Sequence, residues 1–156
     1  MSYALGKRSL SKLRGVHPKL VAVVQRAIQL TEIDFSVHDG LRTAEVQAEY
    51  VRTGVSKTLK SKHLAQADGF GHAVDLVPYI NGRLRWEWEP IYRIATAVEY
   101  AAMEQRVLLR WGGVWDKTLS ECGKSPEEMK QAVRDYCIRH PGPDFIDGPH
   151  YELIGG

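Results

Sequence analysis

The chain has 156 residues, 44% of them hydrophobic and 26% charged, enough apolar material for one compact domain spanning 1–156 around a buried core. Its 21 Lys and Arg stand against 19 Asp and Glu, a net charge of +2 that is too balanced to imply a nucleic-acid partner. Cys122 and Cys137 lie in no metal-binding or disulfide spacing, and no run approaches a signal peptide or the roughly 18 apolar residues of a membrane span, so free thiols and a soluble, non-inserted protein of the cytoplasm are expected.

The segment KRSLSKLR near the start reads as solvated or attracted to an acidic polymer. In HPKLVAVVQRAIQLT, Leu20, Val23, Val24, Ala27 and Ile28 recur at helical spacing behind Pro18, which suits a first helical turn. IDFSVHDG alternates Ile33, Phe35 and Val37 inward and stops at Asp39-Gly40, as a strand does before a turn. RTAEVQAEYVRTG follows as a helix capped by Thr43 and ended by Gly54. GHAVDLVPYINGRLRW reads as a hairpin, with residues 73–77 on one arm, Asn81-Gly82 as a type I′ turn and Leu84 with Trp86 on the other arm. A long helix in EPIYRIATAVEYAAMEQRV comes next, against which Trp86 and Trp88 are expected to pack. LLRWGG is a strand, SPEEMKQAVRDYCIRH a helix with Ser125, Pro126 and Glu128 as its start signals, and GPHYELIGG a last short strand. The strands are short and one pair is a tight hairpin, so the expected class is α+β, a small antiparallel sheet flanked by helices.

The chemistry concentrates in two stretches. SKHLAQADGFGHAVDLVPY carries His63, Asp68, His72 and Asp75, and FIDGPHYEL carries Asp147 and His150. A catalytic zinc site takes three ligands from His, Asp or Glu and keeps one position open. If the last strand pairs beside the hairpin, His63, Asp75 and His150 converge on the sheet, and Asp147 becomes a general base that moves a proton from water to a leaving amine. Along a regular strand Asp147 and His150 would face opposite ways; Gly148-Pro149 breaks that alternation. His72 is the rival first ligand through a local His-x-x-Asp pair, although on a strand those two side chains diverge. Asp68 reads as a turn residue. His17, His38 and His140 sit at element ends, as caps or solvent-facing groups.

These residues resemble the zinc peptidases of the D-alanyl-D-alanine carboxypeptidase and VanY type, a Hedgehog/DD-peptidase-like fold, and most closely the phage endolysins that act as L-alanyl-D-glutamate peptidases. Ser-x-His falls on Ser61 and His63, Gly-x-Ala-x-Asp on Gly71, Ala73 and Asp75, and the terminal Asp-x-x-His on Asp147 and His150. DGLRTAEVQ resembles the family's Gly-x-Arg-Thr stretch and WGGVWD its Trp-Gly-Gly segment. The resemblance covers residues 38–153. It implies Zn2+ on His63, Asp75 and His150, Asp147 as base, Arg42 as the cation facing a substrate carbonyl or carboxylate, and Gln47, Ser61 and Trp111 near the substrate. Ser61 has the competing role of bonding within its loop, Arg42 that of pairing with Asp39 or Glu45, and Trp111 and Trp115 that of core or pocket wall.

One departure stands out. The family's common spacing has six residues between the first ligand His and the Asp, whereas eleven separate His63 from Asp75; the surplus lies in AQADGF and suits an excluded loop. The implied function is hydrolysis of bacterial peptidoglycan stem peptides at the L-Ala–D-Glu bond to lyse the host. The enzyme would be a monomer, held in the host cytoplasm until a holin releases it. The alternatives are removal of terminal D-Ala, a non-catalytic zinc domain that binds wall peptide, and a His-metal nuclease, whose basic phosphate-binding face has KRSLSKLR as its only candidate.

Overall fold

The computed structural model describes residues 2–54, 60–142 and 145–155. Helix α1 spans Lys7–Lys12, α2 Pro18–Leu30, α3 Ala44–Arg52, α4 Trp88–Gln105 and α5 Pro126–Arg139. The strands are β1 Phe35–Asp39, β2 Ala73–Ile80, β3 Arg83–Leu84, β4 Leu109–Trp111, β5 Val114–Thr118 and β6 His150–Leu153, with a 3₁₀ turn at Leu119–Glu121. They form one antiparallel sheet in the order β1-β2-β6-β4-β5, and β3 extends β2 as the expected hairpin. Asn81 and Gly82 take φ of 53° and 75°, the left-handed pair that a type I′ turn requires.

The apolar stripe of α2 (Leu20, Val23, Val24, Ala27, Ile28) is buried and packs on α4, which lies against β2. Leu76 and Val74 of β2, Trp111 of β4 and Tyr151 of β6 join the same core. Thr43 Oγ1 caps α3 by accepting from Val46 N–H at 3.2 Å, and Ser125 Oγ caps α5 by accepting from Glu128 N–H at 3.1 Å. His17 caps α2 through its Nδ1, which accepts from Lys19 N–H at 3.1 Å. The α+β expectation therefore holds, and the sheet carries two of the three candidate ligands.

Three readings need correction. KRSLSK is helical, docked on β1 through Ser9, whose Oγ accepts from Val37 N–H at 3.0 Å. WGGVWD turns into a strand of its own, β5, folded back on β4. The second hairpin arm ends at Leu84, and the two tryptophans beyond it diverge. Trp88 opens α4 with its ring against Tyr92 and Trp111, whereas Trp86 stays 55% exposed.

Candidate active site and metal centre

The site begins with strand register. Asp75 of β2 and His150 of β6 are directly paired across the sheet, so their side chains emerge side by side on one face. His150 Nδ1 lies 3.3 Å from Asp75 Oδ1. His63, from the loop between α3 and β2, closes over them with Nε2 3.2 Å from the same oxygen. The three donor atoms all lie within 4.8 Å of one another.

Proton bookkeeping shows that this cluster fits a cation. His63 Nδ1 is 2.8 Å from the Gly40 carbonyl, which can only accept, so the ring proton sits on Nδ1 and Nε2 turns a lone pair toward the Asp75 carboxylate. His150 Nε2 is 2.8 Å from Glu152 Oε1, which leaves Nδ1 facing Asp75. Opposed acceptors at these distances need a proton or a metal ion between them. Burial works to raise the Asp75 carboxyl, but the hydrogen bonds to His150 and His63 hold it well below the usual carboxylate range. Burial likewise works against charge on His150, yet Asp75 and Glu152 push that imidazole up to about 10. Two imidazoles and one ionised carboxylate on a half-buried face match the donor set of a catalytic zinc site.

Each ligand is held from behind. Gly40 fixes the tautomer of His63, and Glu152 orients His150 in the carboxylate–histidine manner of metal sites. Glu152 lies two residues beyond His150 on the same strand, hence on the same face, and that spacing is the sequence signal for its role. Glu152→Gln should lower metal affinity by about 10- to 100-fold while the fold is retained, as isothermal titration would measure; an unchanged affinity would remove Glu152 from the metal's support.

The turn that carries Asp147 is shaped by WGG. Asp147 N–H donates to Gly112 O at 2.8 Å and Gly112 N–H to His150 O at 2.9 Å. A Cβ at Gly112 would stand 2.1 Å from Asp147 O, so only glycine lets this turn lie against β4. Trp111, expected near the substrate, is fully buried instead; its Nε1 donates to Gly148 O at 2.7 Å and pins the same turn from the core. Asp147 lines the cleft with His63, Asp75 and His150. Burial first, and then the negative charge of Asp75, push its carboxyl up to about 6, so it exchanges a proton near neutrality.

Arg42 is tied to the ligands twice. Its backbone N–H donates to His63 O at 2.8 Å, and its Nη2 lies 3.9 Å from Asp75 Oδ2. The guanidinium stacks 4.5 Å from the centre of the Tyr50 ring and bonds Asp39 and Gln47. Gln47 is itself 1% exposed, so it orients Arg42 from within the protein rather than meeting a substrate. Ser61 lines the cleft, and its Oγ accepts from His63 N–H at 3.1 Å, the bond within the loop.

His72 is not at this centre. Its Nε2 lies 2.8 Å from Asp68 Oδ2, away from Asp75, as strand alternation requires. The longer spacer closes on itself: Ala65 and Gly71 pair, Gln66 N–H donates to Phe70 O at 2.8 Å, and Asp68 Oδ1 accepts from Phe70 N–H at 3.0 Å. His72 N–H then donates to Lys62 O at 2.7 Å, which pinches the loop at its base, next to His63.

The sequence profile of the phage L-alanyl-D-glutamate peptidases matches residues 1–154. The chain belongs to that family. It is 32% identical to the L-alanyl-D-glutamate peptidase of Escherichia phage T5 over 158 aligned positions, covering 99% of this chain and all of the relative. It is also 27% identical to the L-alanyl-D-glutamate peptidase of Listeria phage A118, over 69% of this chain but only 37% of that longer protein. Among solved structures, the Serratia marcescens L-Ala D-Glu endopeptidase ChiX superposes with a TM-score of 0.69 at 36% identity, over 95% of this chain and 87% of that one. The resemblance drawn from the ordered motifs thus holds, and with it the reading of the chain as a peptidase of phage type. No described helix is long and apolar enough to cross a membrane.

Proposed function

We propose that the chain is a zinc-dependent endolysin that hydrolyses the L-Ala–D-Glu bond of peptidoglycan stem peptides, with His63, Asp75 and His150 as ligands and Asp147 as general base. The observation that carries this reading is the three-ligand cluster with a separate carboxylate of raised pKa in the same cleft. When bound, zinc supplies Lewis acidity, polarising a carbonyl oxygen and acidifying water. The chain's own residues do the rest. Asp147 accepts the proton of the attacking water and returns it to the leaving amine of D-Glu, a cycle suited to a carboxyl that titrates near 6. Arg42 keeps N–H groups beyond those engaged by Asp39 and Gln47 and directs them toward the substrate's carbonyl or carboxylate. The protein acts as a monomer and waits in the host cytoplasm for release to the wall through a holin.

The test is a digest of purified peptidoglycan with the new amino termini identified by mass spectrometry. Stem peptides beginning with D-Glu are expected. Free D-Ala as the only product would make the enzyme a carboxypeptidase, and neither product with zinc bound would favour a binding domain.

A further inference from the structure

The cleft encloses about 610 Å³, and its rim holds an aromatic residue that the hydrolytic step leaves unused. Trp86 is 55% exposed at that rim, the most exposed tryptophan in a chain whose Trp111 is fully buried. Its backbone is also held in place. Arg85 N–H donates to Pro78 O at 2.8 Å, the Arg85 side chain pairs with Glu87 at 2.9 Å, and Glu87 is the N-cap of α4, so the backbone on both sides of Trp86 is fixed. Its ring stands edge-on to His38, with centroids 5.4 Å apart and planes at 89°.

His38 reaches this position through a bulge. The β1–β2 register passes from Val37 opposite Leu76 to Asp39 opposite Asp75, so His38 is the extra residue and its ring is turned to the rim. His38 also borders a second groove of about 860 Å³, where exposed Tyr79 and Leu84 face the α1 residues Lys7, Arg8 and Lys12. The two concavities therefore meet at His38, the residue they share. A stem peptide is short, whereas the part of the substrate on the amino side of L-Ala continues as a sugar polymer. The side of the cleft that opens into further groove suits the polymeric half, and a flat, exposed indole on a fixed backbone suits the apolar face of a pyranose ring.

We infer that Trp86, backed by His38, is a glycan subsite that binds the sugar next to the scissile L-Ala, with the strand continuing over Tyr79 and Leu84. This rests on the L-Ala–D-Glu reading above. It deepens that reading, because a glycan subsite makes the enzyme prefer wall-linked stems to free peptide.

Two substrates with one stem peptide test it: a disaccharide muropeptide, and the same peptide N-acetylated in place of the sugars. Wild type should show the higher kcat/KM on the muropeptide. Trp86→Ala should lower kcat/KM on the muropeptide by about fivefold to tenfold, mainly through KM, and so bring the ratio between the two substrates toward one. Trp86→Tyr should restore most of the ratio, and thermal unfolding of each variant reports on the fold. An unaltered ratio in Trp86→Ala, or equal losses on both substrates, would overturn the subsite while the peptidase reading stands. A wild type that cuts neither substrate between L-Ala and D-Glu would overturn that reading and the subsite with it.

Discussion

Replacing Asp147 by Asn is expected to reduce peptidoglycan hydrolysis by about 10²- to 10⁴-fold while metal content and thermal stability stay near those of the wild type. Asn keeps the size of the side chain and cannot take a proton, so the variant separates the base from the ligands. The backbone contacts that position residue 147, its N–H to Gly112 O and its carbonyl to His150 N–H at 3.1 Å, do not involve the side chain and should survive. The other non-ligand carboxylates lining the cleft are both committed, Glu152 Oε1 to His150 at 2.8 Å and Asp39 Oδ2 to Arg42 Nε at 3.0 Å. Activity of wild-type size in Asp147→Asn would move the base elsewhere; loss of metal would make Asp147 a ligand. Activity should fall as the Asp147 carboxyl is protonated; burial and Asp75 push that carboxyl up to about 6 without metal, and a cation on Asp75 offsets part of this, so the acidic limb of kcat/KM should lie at or below that value.

The second large effect is on metal. His63→Ala, Asp75→Ala and His150→Ala should each lose the bound ion, whereas His72→Ala should keep it, because His72 is directed at Asp68. Without metal, Asp75 and Glu152 raise His150 to about 10, so at neutral pH the binding site holds a proton there that an incoming cation must displace. The sign follows: apparent affinity should rise with pH, by about tenfold per unit for one released proton, and weaken as the solution is acidified. A chelator should abolish activity. Because the ion binds only the folded ligand set, its removal should also lower the unfolding midpoint, by the equivalent of about 4 kcal/mol where free metal exceeds Kd a thousandfold. Metal affinity that does not vary between pH 6 and pH 9, on the order of three units of titration, would argue against His150 as a protonated ligand.

What the sequence discloses depends on how local the physical cause is. β1 and β2 follow from alternating apolar residues and Asn-Gly, and the ligands Asp75 and His150 follow from their places on strands that pair. Helix α1 escapes notice because KRSLSK has no apolar stripe; the one residue it buries is Ser9, which reaches a strand amide distant in sequence. Strand β5 escapes because Val114 is its only buried side chain. Gln47 and Trp111 sit in motif segments and so look like substrate contacts. Their burial assigns them to orienting Arg42 and pinning the Asp147 turn, a distinction that only packing reveals. The Gly40 carbonyl that sets the tautomer of His63 is a backbone atom, which no side-chain pattern marks.

One divalent ion is expected among His63, Asp75 and His150, with Asp147 left unliganded beside it. Diffraction from metal-loaded crystals at the zinc absorption edge tests this most directly. One anomalous peak per chain is expected, bonded to His63 Nε2, His150 Nδ1 and an Asp75 oxygen at about 2.0–2.2 Å each, with His72 still on Asp68. A peak bonded to His72, or one that takes Asp147 into its coordination shell, would contradict it.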